Sequence, residues 1–236
     1  MKLIFNQNNN HERNHMTKKR KAADTRLFGI DVSHYQAPID WQRVSNAGVV
    51  FAILKASEAS SYKDKNFAAW WPAVKANGII RGAYHFFRPY APVDRQIANF
   101  LGSLPKLDAG DLPSVLDLEV PENWRNISLK SRIAMIRRWL DAVEDAQGIK
   151  PIIYLSSSFP GDVLANDPFL RDYILWLAHY TKAAKPKVPK PWAPDKTWTI
   201  WQYSETGKLA GTSGSAVDLN WFNGNAKDLS SILVKP

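Results

Sequence analysis

The sequence predicts an irregular α/β barrel of the TIM type, with about five regular βα units followed by three less regular strands. From residue 27 onward, short apolar runs alternate with helical or polar segments, which is the βα pattern of a parallel sheet or barrel. The runs are continuously hydrophobic, as expected for strands that are buried on both faces. About eight such runs indicate that the sheet closes into a barrel.

The predicted strands follow one another with room for a helix or loop between them. They cover residues 28–33, 49–57, 79–87, 113–120, 151–157, 173–180, 198–204 and 216–222. The chain shows no internal repeat, so we expect one barrel and not an array of repeated units.

The clearest predicted helix covers residues 128–147. Ser128 is a suitable N-cap, and Gly148 follows as a C-terminal stop. Apolar side chains recur within it at helical spacing and form a stripe that can face the barrel. This stripe consists of Ile133, Ile136, Leu140 and Val143.

Two shorter helices are predicted at residues 64–77 and 92–104. In the first of these, Pro72 should kink or split the helix because proline lacks the backbone N–H. Helical signals fade after the fifth strand, where residues 181–196 mix four prolines with lysines. This segment is predicted to be an extended loop, which makes the last three strands less regular.

Length and composition fit one folded domain, which we place at residues 27–236. The chain of 236 residues is 45% hydrophobic and 22% charged, enough for a sizeable core. No stretch approaches the ~18 apolar residues of a membrane span, and no export signal is recognisable. The sequence has no cysteine, which excludes disulfides and thiolate chemistry.

Residues 1–26 are predicted to form a flexible basic tail. They hold seven Lys or Arg against two acidic residues, about half of the formal net charge of +9, and too few apolar side chains to become ordered. Two interpretations stay open: a solvated leader with Met16 as the true start, or an electrostatic handle for anionic wall polymers. The absence of interleaved aromatic residues disfavours a nucleic-acid interface.

Asp117 and Glu119, in the sequence VLDLEV, are the first candidate catalytic residues. Side chains alternate along a strand, so both acids point to one face, about 6.6 Å apart at the backbone. Burial and like charge oppose ionisation of both, and one pKa should rise. Glycosidases need one carboxylic acid to protonate the leaving oxygen and one carboxylate to stabilise or attack the anomeric centre. A helix cap or an arginine partner is the structural alternative.

Two further acids each follow an apolar run and so fall toward the end of a strand. These are Asp31 in FGIDVSHYQ and Asp218 in AVDLNWF. In barrels of this kind the carboxyl ends of the strands form the active face. We therefore expect four acids to meet at one opening of the barrel.

The same strand ends supply polar and aromatic candidates for substrate binding. Aromatic rings suit the apolar C–H faces of pyranose rings, and sugar hydroxyls need fixed polar partners. The candidates are Lys55, Glu58, Tyr84, His85, Tyr154, His179, Tyr180, Trp201 and Gln202. Core packing is the alternative for each aromatic residue, and His85 can instead be a histidine satisfied within the barrel. The histidines show no close pairs of the zinc-binding kind, so we expect neither a metal nor another cofactor.

The ordered motifs resemble those of glycoside hydrolase family 25, the Chalaropsis-type lysozymes. The resemblance covers residues 28 to 222 in unbroken order. It rests on GIDVSHYQ, IDWQRV, VFAILKASE, GAYHFF, VLDLEV, PIIYLSS, WLAHY, WTIWQYS and VDLNWF.

This resemblance implies a flattened barrel that acts as an N-acetylmuramidase on the β-1,4 bond between N-acetylmuramic acid and N-acetylglucosamine. It implies that Glu119 is the general acid/base and Asp117 its partner, with Asp31 and Asp218 completing the acidic floor. Retention of configuration is expected, with the substrate's 2-acetamido group or an aspartate as nucleophile. The implied partner is the peptidoglycan glycan strand, cut at the cell wall by a monomer. An endolysin, an injected effector and an exported enzyme all stay open as the biological setting.

Two glycines usual in the family are replaced in this chain. Ala37 follows Gln36, and Ala59 follows Glu58, so the resemblance does not fix the shape of these loops. Two other functions are compatible with the residues: a wall-binding barrel without turnover, and a hydrolase of chitin-like chains. The longer Asp-x-x-Asp-x-Asp-x-Glu run expected of the latter is absent.

Overall fold

Eight strands close into a barrel in this computed structural model, which describes residues 26–213 and 216–236. The described strands are β1 (Leu27–Val32), β2 (Phe51–Glu58), β3 (Tyr62–Lys63), β4 (Ile80–Phe86), β5 (Val115–Leu118), β6 (Ile152–Ser156), β7 (Ile174–Ala178), β8 (Ile200–Gly207) and β9 (Val217–Phe222). β3 is an extra strand paired to the end of β2, and the other eight form the barrel. The predicted tail lies outside the described residues, except for Arg26.

The barrel is parallel around most of its circumference and changes direction at its last strand. Its strand order is β1-β9-β8-β7-β6-β5-β4-β2, and the parallel pairing of β1 with β2 closes it. β9 runs antiparallel to both β8 and β1, and register shifts interrupt its pairing with β8. The loss of regularity is therefore confined to the end of the chain.

The described helices are α1 (Trp41–Asn46), α2 (Phe67–Ala76), α3 (Val93–Leu101), α4 (Leu129–Gln147), α5 (Phe159–Leu164) and α6 (Ala226–Ile232). Helices α1 to α5 follow β1, β2, β4, β5 and β6, so five βα units precede β7, β8 and β9. This order confirms the predicted architecture. The short helices α1, α5 and α6 and the strand β3 were not predicted.

Local signals fix the bounds of several elements. The Ser128 hydroxyl accepts a hydrogen bond from the Ser131 N–H at the start of α4, and Gly148 ends the helix with φ 68°, a conformation that suits glycine. α2 is continuous with Pro72 inside it, so the predicted split does not occur. Residues 181–196 form turns and irregular chain without a helix or strand, as predicted.

Alternation along the strands separates an inner from an outer apolar cluster. The inner cluster includes Phe51, Ile53, Val115, Ile152, Trp176, Ile200 and Phe222. The outer cluster, between strands and helices, includes Ile30, Leu54, Leu116, Leu118, Ile153, Leu177 and Trp201. Gly29 faces the ring of Phe51, whose nearest carbon would lie 2.3 Å from a Cβ at position 29. Only glycine fits there, because any side chain would displace the ring that fills the barrel.

Candidate active site

A groove of about 560 Å³ opens at the carboxyl ends of the parallel strands, and all four acidic candidates line it. Asp31 lies near the end of β1, Asp117 lies within β5, and Glu119 directly follows β5. Asp218 is the second residue of β9, which is antiparallel. Its strand therefore begins at the groove, whereas the sequence had placed this acid toward a strand's end. The four acids nevertheless line the same groove, as expected.

Six other candidates also line the groove. They are Lys55, Tyr84, Tyr154, His179, Tyr180 and Gln202. Those on strands occupy inward-facing positions, spaced by two residues from side chains of the inner apolar cluster. Gln202, for example, lies two residues after Ile200, and Tyr154 two residues after Ile152.

His85 and Trp201 do not line the groove, so their assignment to substrate binding is corrected. Each is the direct neighbour of a groove residue on its strand, and alternation turns its side chain outward. His85 is fully buried and stacks on Trp139 with 5.8 Å between ring centroids. Its Nδ1 lies 2.8 Å from Ser57 Oγ, and its Nε2 lies 3.1 Å from Gln96 Oε1.

His85 and Trp201 both pack on the outer side of the barrel wall. Burial lowers the pKa of His85 to about 4, so its ring is neutral at neutral pH. Trp201 packs edge-on against Trp198 and Tyr203. Its Nε1–H donates to the carbonyl of His179 at 2.8 Å and so fixes the backbone of a groove residue.

Asp31 is held by neutral amide donors. Gln202 Nε2 donates to both of its carboxylate oxygens, at 3.2 and 3.0 Å, and Asn220 Nδ2 donates to Oδ2 at 2.7 Å. Gln202 Oε1 in turn accepts from the Tyr154 and Tyr180 hydroxyls, at 2.8 and 2.7 Å. These bonds orient the amide so that its N–H groups face the carboxylate.

The second amide is oriented in the same way. Asn220 Oδ1 accepts the indole N–H of Trp176 at 2.8 Å, which leaves the Asn220 Nδ2 group to donate to Asp31. Asn220 is fully buried. Tyrosine and tryptophan side chains of β6 and β7 thus fix the donors around an acid on β1.

Burial dominates the electrostatics of the paired acids on β1 and β9. Asp31 and Asp218 are cross-strand partners in the β1–β9 register. Burial raises the pKa of Asp31, although the hydrogen bonds from Gln202 and Asn220 oppose the rise. Burial and the adjacent Asp31 raise the pKa of Asp218 to about 9. At neutral pH Asp218 is therefore a protonated acid that can donate to Asp31.

The pKa values of Asp117 within β5 and of Glu119, which directly follows β5, are raised as well. Burial and repulsion from Glu119 raise the pKa of Asp117 well above its usual range. Burial and the charge of Asp31 raise the pKa of Glu119. Ionisation of either carboxyl therefore opposes ionisation of the other, and the two titrate as a coupled pair. Asp117 Oδ1 is buried and has no hydrogen-bond partner among the described residues.

Lys55 is the only lysine or arginine among the described residues that line the groove. Its Nζ donates to Glu58 Oε2 at 2.6 Å, and Glu58 Oε1 accepts from Arg88 Nε at 2.7 Å. Glu58 lines an adjoining pocket and not the main groove. The lysine lowers the pKa values of Asp117 and Glu119, but burial outweighs it.

The backbone after Glu119 is strained. Val120 has φ 53° and ψ 71°, a left-handed conformation that is unfavourable for a β-branched residue. The following short helix places the Trp124 indole N–H 3.2 Å from the Glu119 carbonyl oxygen. A fully buried tryptophan thus anchors the turn that carries this acid.

Several residues of the groove were not predicted. They are Tyr35, Phe86, Trp176, Glu205 and, behind the surface, Asn220. Asn220 could have been found, because it lies two residues after Asp218 and so shares its face of the strand. Tyr35 also lines the adjoining pocket of about 330 Å³ with Lys55 and Tyr62. Its ring is 72% exposed.

Within residues 26–213 and 216–236, no group of three or more His, Asp or Glu side chains is arranged to hold a metal ion. The helices of this same part of the chain include none that is long and apolar enough to cross a membrane.

Comparisons with known proteins agree with this geometry. The model of the family described as glycosyl hydrolases family 25 matches residues 30–212. The chain is 37% identical over 226 residues to Lysozyme M1 of Streptomyces globisporus, covering 89% of this chain and 72% of that protein. It is 28% identical to the N,O-diacetylmuramidase of Chalaropsis sp, over 86% of this chain and 97% of that protein. The crystal structure of a bacterial lysozyme from Streptomyces coelicolor superposes with a TM-score of 0.81 at 35% identity, covering 88% of this chain and 96% of that one.

Proposed function

The chain belongs to glycosyl hydrolases family 25 and is a glycoside hydrolase, and we propose that it is a lysozyme. Its substrate would be the β-1,4 bond between N-acetylmuramic acid and N-acetylglucosamine in peptidoglycan. The observation that carries this proposal is the meeting of four carboxyls in one groove, two of them, Asp117 and Glu119, side by side at the end of β5. Names of relatives such as N,O-diacetylmuramidase support the choice of substrate.

Glu119 is the proposed general acid and base. Burial raises its pKa, so it can hold a proton at the pH at which an ordinary glutamate is ionised. In the first step it gives that proton to the glycosidic oxygen as the bond to the anomeric carbon breaks. In the second step the resulting carboxylate takes a proton from the attacking water.

Asp117 is the proposed partner that orients the substrate's 2-acetamido group. Its buried Oδ1 has no hydrogen-bond partner among the described residues and can accept the acetamido N–H. That bond favours the ionised form of Asp117, and the resulting negative charge favours the protonated form of Glu119, which gives its proton to the leaving group. The acetamido carbonyl oxygen would then attack the anomeric carbon, and water would open the resulting ring with net retention.

We propose that residues 27–236 form one catalytic barrel and that residues 1–26 form a basic tail before it. Binding of the tail to anionic wall polymers remains a proposal, because those residues, apart from Arg26, lie outside the described structure. We also propose that the barrel acts as a monomer.

Replacement of the proposed acid tests the assignment directly. We expect Glu119→Gln to lower the rate of peptidoglycan cleavage by roughly 10²-fold to 10⁴-fold, because the amide cannot donate the proton. Glu205→Gln is the matched control, since it makes the same change at an exposed residue of the groove rim and should keep most of the activity. Binding of Glu119→Gln to intact sacculi should persist.

The products distinguish the competing functions. A muramidase releases fragments with reducing N-acetylmuramic acid ends, detected by borohydride reduction and mass spectrometry, and proton NMR of the first product should show the β-anomer. Reducing N-acetylglucosamine ends, or cleavage of chitin oligomers in preference to wall fragments, would contradict the proposed substrate. Binding without any release by the unmodified protein would point to a barrel that lacks turnover.

A further inference from the structure

The net positive charge of the barrel is concentrated in one segment. Residues 181–196 contain five lysines and one aspartate, a net charge of +4. The other residues of 27–236 hold nineteen basic and nineteen acidic side chains, so their formal charges cancel. We call residues 181–196 the lysine rim.

Four lysines of this rim extend into solvent and form no ion pair within the described chain. Lys182, Lys185, Lys187 and Lys190 are all exposed, and none of them appears in a described salt bridge. The single acid of the rim, Asp195, is already paired with Arg171. The charge of these four lysines is therefore available to a partner.

The rim is fixed beside the groove. His179 and Tyr180, which directly precede it, line the groove, and the backbone N–H of Lys187 donates to His179 Nδ1 at 3.2 Å. Trp192 is buried, and its indole N–H donates to the Tyr173 carbonyl at 3.0 Å. The backbone is thus held at both its centre and its far end while the ammonium groups remain free.

We propose that the lysine rim binds the phosphodiester polymers that cell walls carry on their glycan strands. This inference rests on the proposed function, because it takes peptidoglycan as the chain in the groove. Arginine recognises single carboxylates or phosphates through fixed paired hydrogen bonds, whereas lysine acts as a mobile point charge. Four exposed lysines without an arginine among them suit a polymer of repeating charge better than one carboxylate in a fixed pose.

The position of the rim explains what such binding achieves. The groove itself is lined by carboxyls and offers little attraction to an anionic wall. A cationic rim at its edge raises the local concentration of phosphate-bearing strands and steers them toward the groove, and salt weakens this attraction. The peptide stems of peptidoglycan also carry carboxylates, and an experiment must separate the two sources of charge.

The test compares walls with and without their phosphate polymers. Binding is measured by cosedimentation with walls that carry poly(glycerol phosphate), and with the same walls after hydrofluoric acid has removed it. All variants carry Glu119→Gln, so that the walls stay intact. The rim variant is Lys182→Gln, Lys185→Gln, Lys187→Gln and Lys190→Gln together. The matched control carries the same change of charge, with glutamine in place of four exposed lysines that do not line the groove: Lys106, Lys150, Lys227 and Lys235.

We expect the parent to bind the polymer-bearing walls roughly tenfold more tightly than the stripped walls at low salt, and the control to keep this preference. The rim variant should lose most of this preference, and the part that remains is that of the basic tail at 1–26, which all variants share. Equal binding of the parent to both kinds of wall, or equal losses of binding in the rim variant and the control, would overturn the proposal. A rim variant whose binding is weakened equally on both kinds of wall would overturn it too, because that result indicates binding to stem carboxylates. Cleavage of stripped walls by the rim variant without Glu119→Gln should match the unmodified protein. That measurement checks the proposed function separately.

Discussion

Asp218→Asn should make the protein more stable at neutral pH, although it removes a residue of the acidic groove. Burial and the neighbouring Asp31 raise the pKa of Asp218 to about 9, against 3.8 for an ordinary aspartate. Its contribution to stability is therefore fully present below pH 4, and it is lost as the pH rises from about 4 to about 9. The unfolded chain gains by ionising this group, whereas the folded chain does not.

The magnitude at pH 7 follows from that interval. Each pH unit between 3.8 and 7 costs about 1.4 kcal/mol of unfolding free energy, about 4 kcal/mol in all. Asparagine does not ionise, and its amide can donate to Asp31 as the protonated carboxyl does. Imperfect replacement of that hydrogen bond costs about 1 to 2 kcal/mol. We expect a net gain of about 2 to 3 kcal/mol at pH 7, and no gain at pH 4.

Urea unfolding followed by tryptophan fluorescence at pH 4, 5.5 and 7 measures this difference. Asp145→Asn is the matched control, because it neutralises an exposed aspartate on α4 with no described ion pair or hydrogen bond, and its effect should stay within about 0.5 kcal/mol. If the stability of Asp218→Asn depends on pH as steeply as that of the unmodified protein, the assigned protonation of the groove is wrong.

Two further predictions concern the stability of the barrel. Ala59 has φ 48°, so Ala59→Gly should raise the unfolding free energy, measured by calorimetry, by about 1 kcal/mol. Ala47→Gly is the control, because Ala47 has φ −78°, and it should not raise the unfolding free energy. Equal effects of the two substitutions would contradict the left-handed conformation of Ala59. Asp111→Ala should cost about 3 to 5 kcal/mol in urea unfolding, because it leaves the buried Arg81 without its Nε partner at 2.8 Å. Asp108→Ala removes the exposed partner of the same arginine and should cost much less, because solvent screens an exposed ion pair. Similar losses for the two would refute the assignment of the ion pair to Asp111.

The positions of the barrel strands and the shared face of the acidic pair were predictable because they depend on local periodicity. Continuous apolar runs identified all eight barrel strands, and the spacing of Asp117 and Glu119 placed both on one face. Within a strand, the same rule of alternation excludes one member of an adjacent pair. His85 next to Tyr84, and Trp201 next to Gln202, cannot both face the groove. Consistent use of that rule would have excluded His85 and Trp201 and would have added Asn220.

The direction of β9 could not be predicted from its residues. A short apolar run has no intrinsic direction, and only the pairing of β9 between β8 and β1 shows that it is antiparallel. Asp218 reaches the groove from the start of its strand for this reason. The left-handed Val120 was equally hidden, because valine in that conformation is unfavourable and depends on the anchoring of Trp124 behind it.

The choice of amides around Asp31 explains how the groove can hold its protons. A lysine or arginine in place of Gln202 or Asn220 could also donate to Asp31, but it would offer no acceptor to the neighbouring tyrosine and tryptophan donors. Its charge would also lower the pKa of every carboxyl nearby. Neutral amides fix the geometry and leave burial to raise those pKa values. The lysine of the groove, Lys55, is shared with Glu58 outside it, which weakens its pull on the acids. The raised pKa of Glu119 favours its protonated form, which the role proposed for it as general acid requires. Burial of these carboxyls has a cost in stability that the apolar clusters of the barrel must offset.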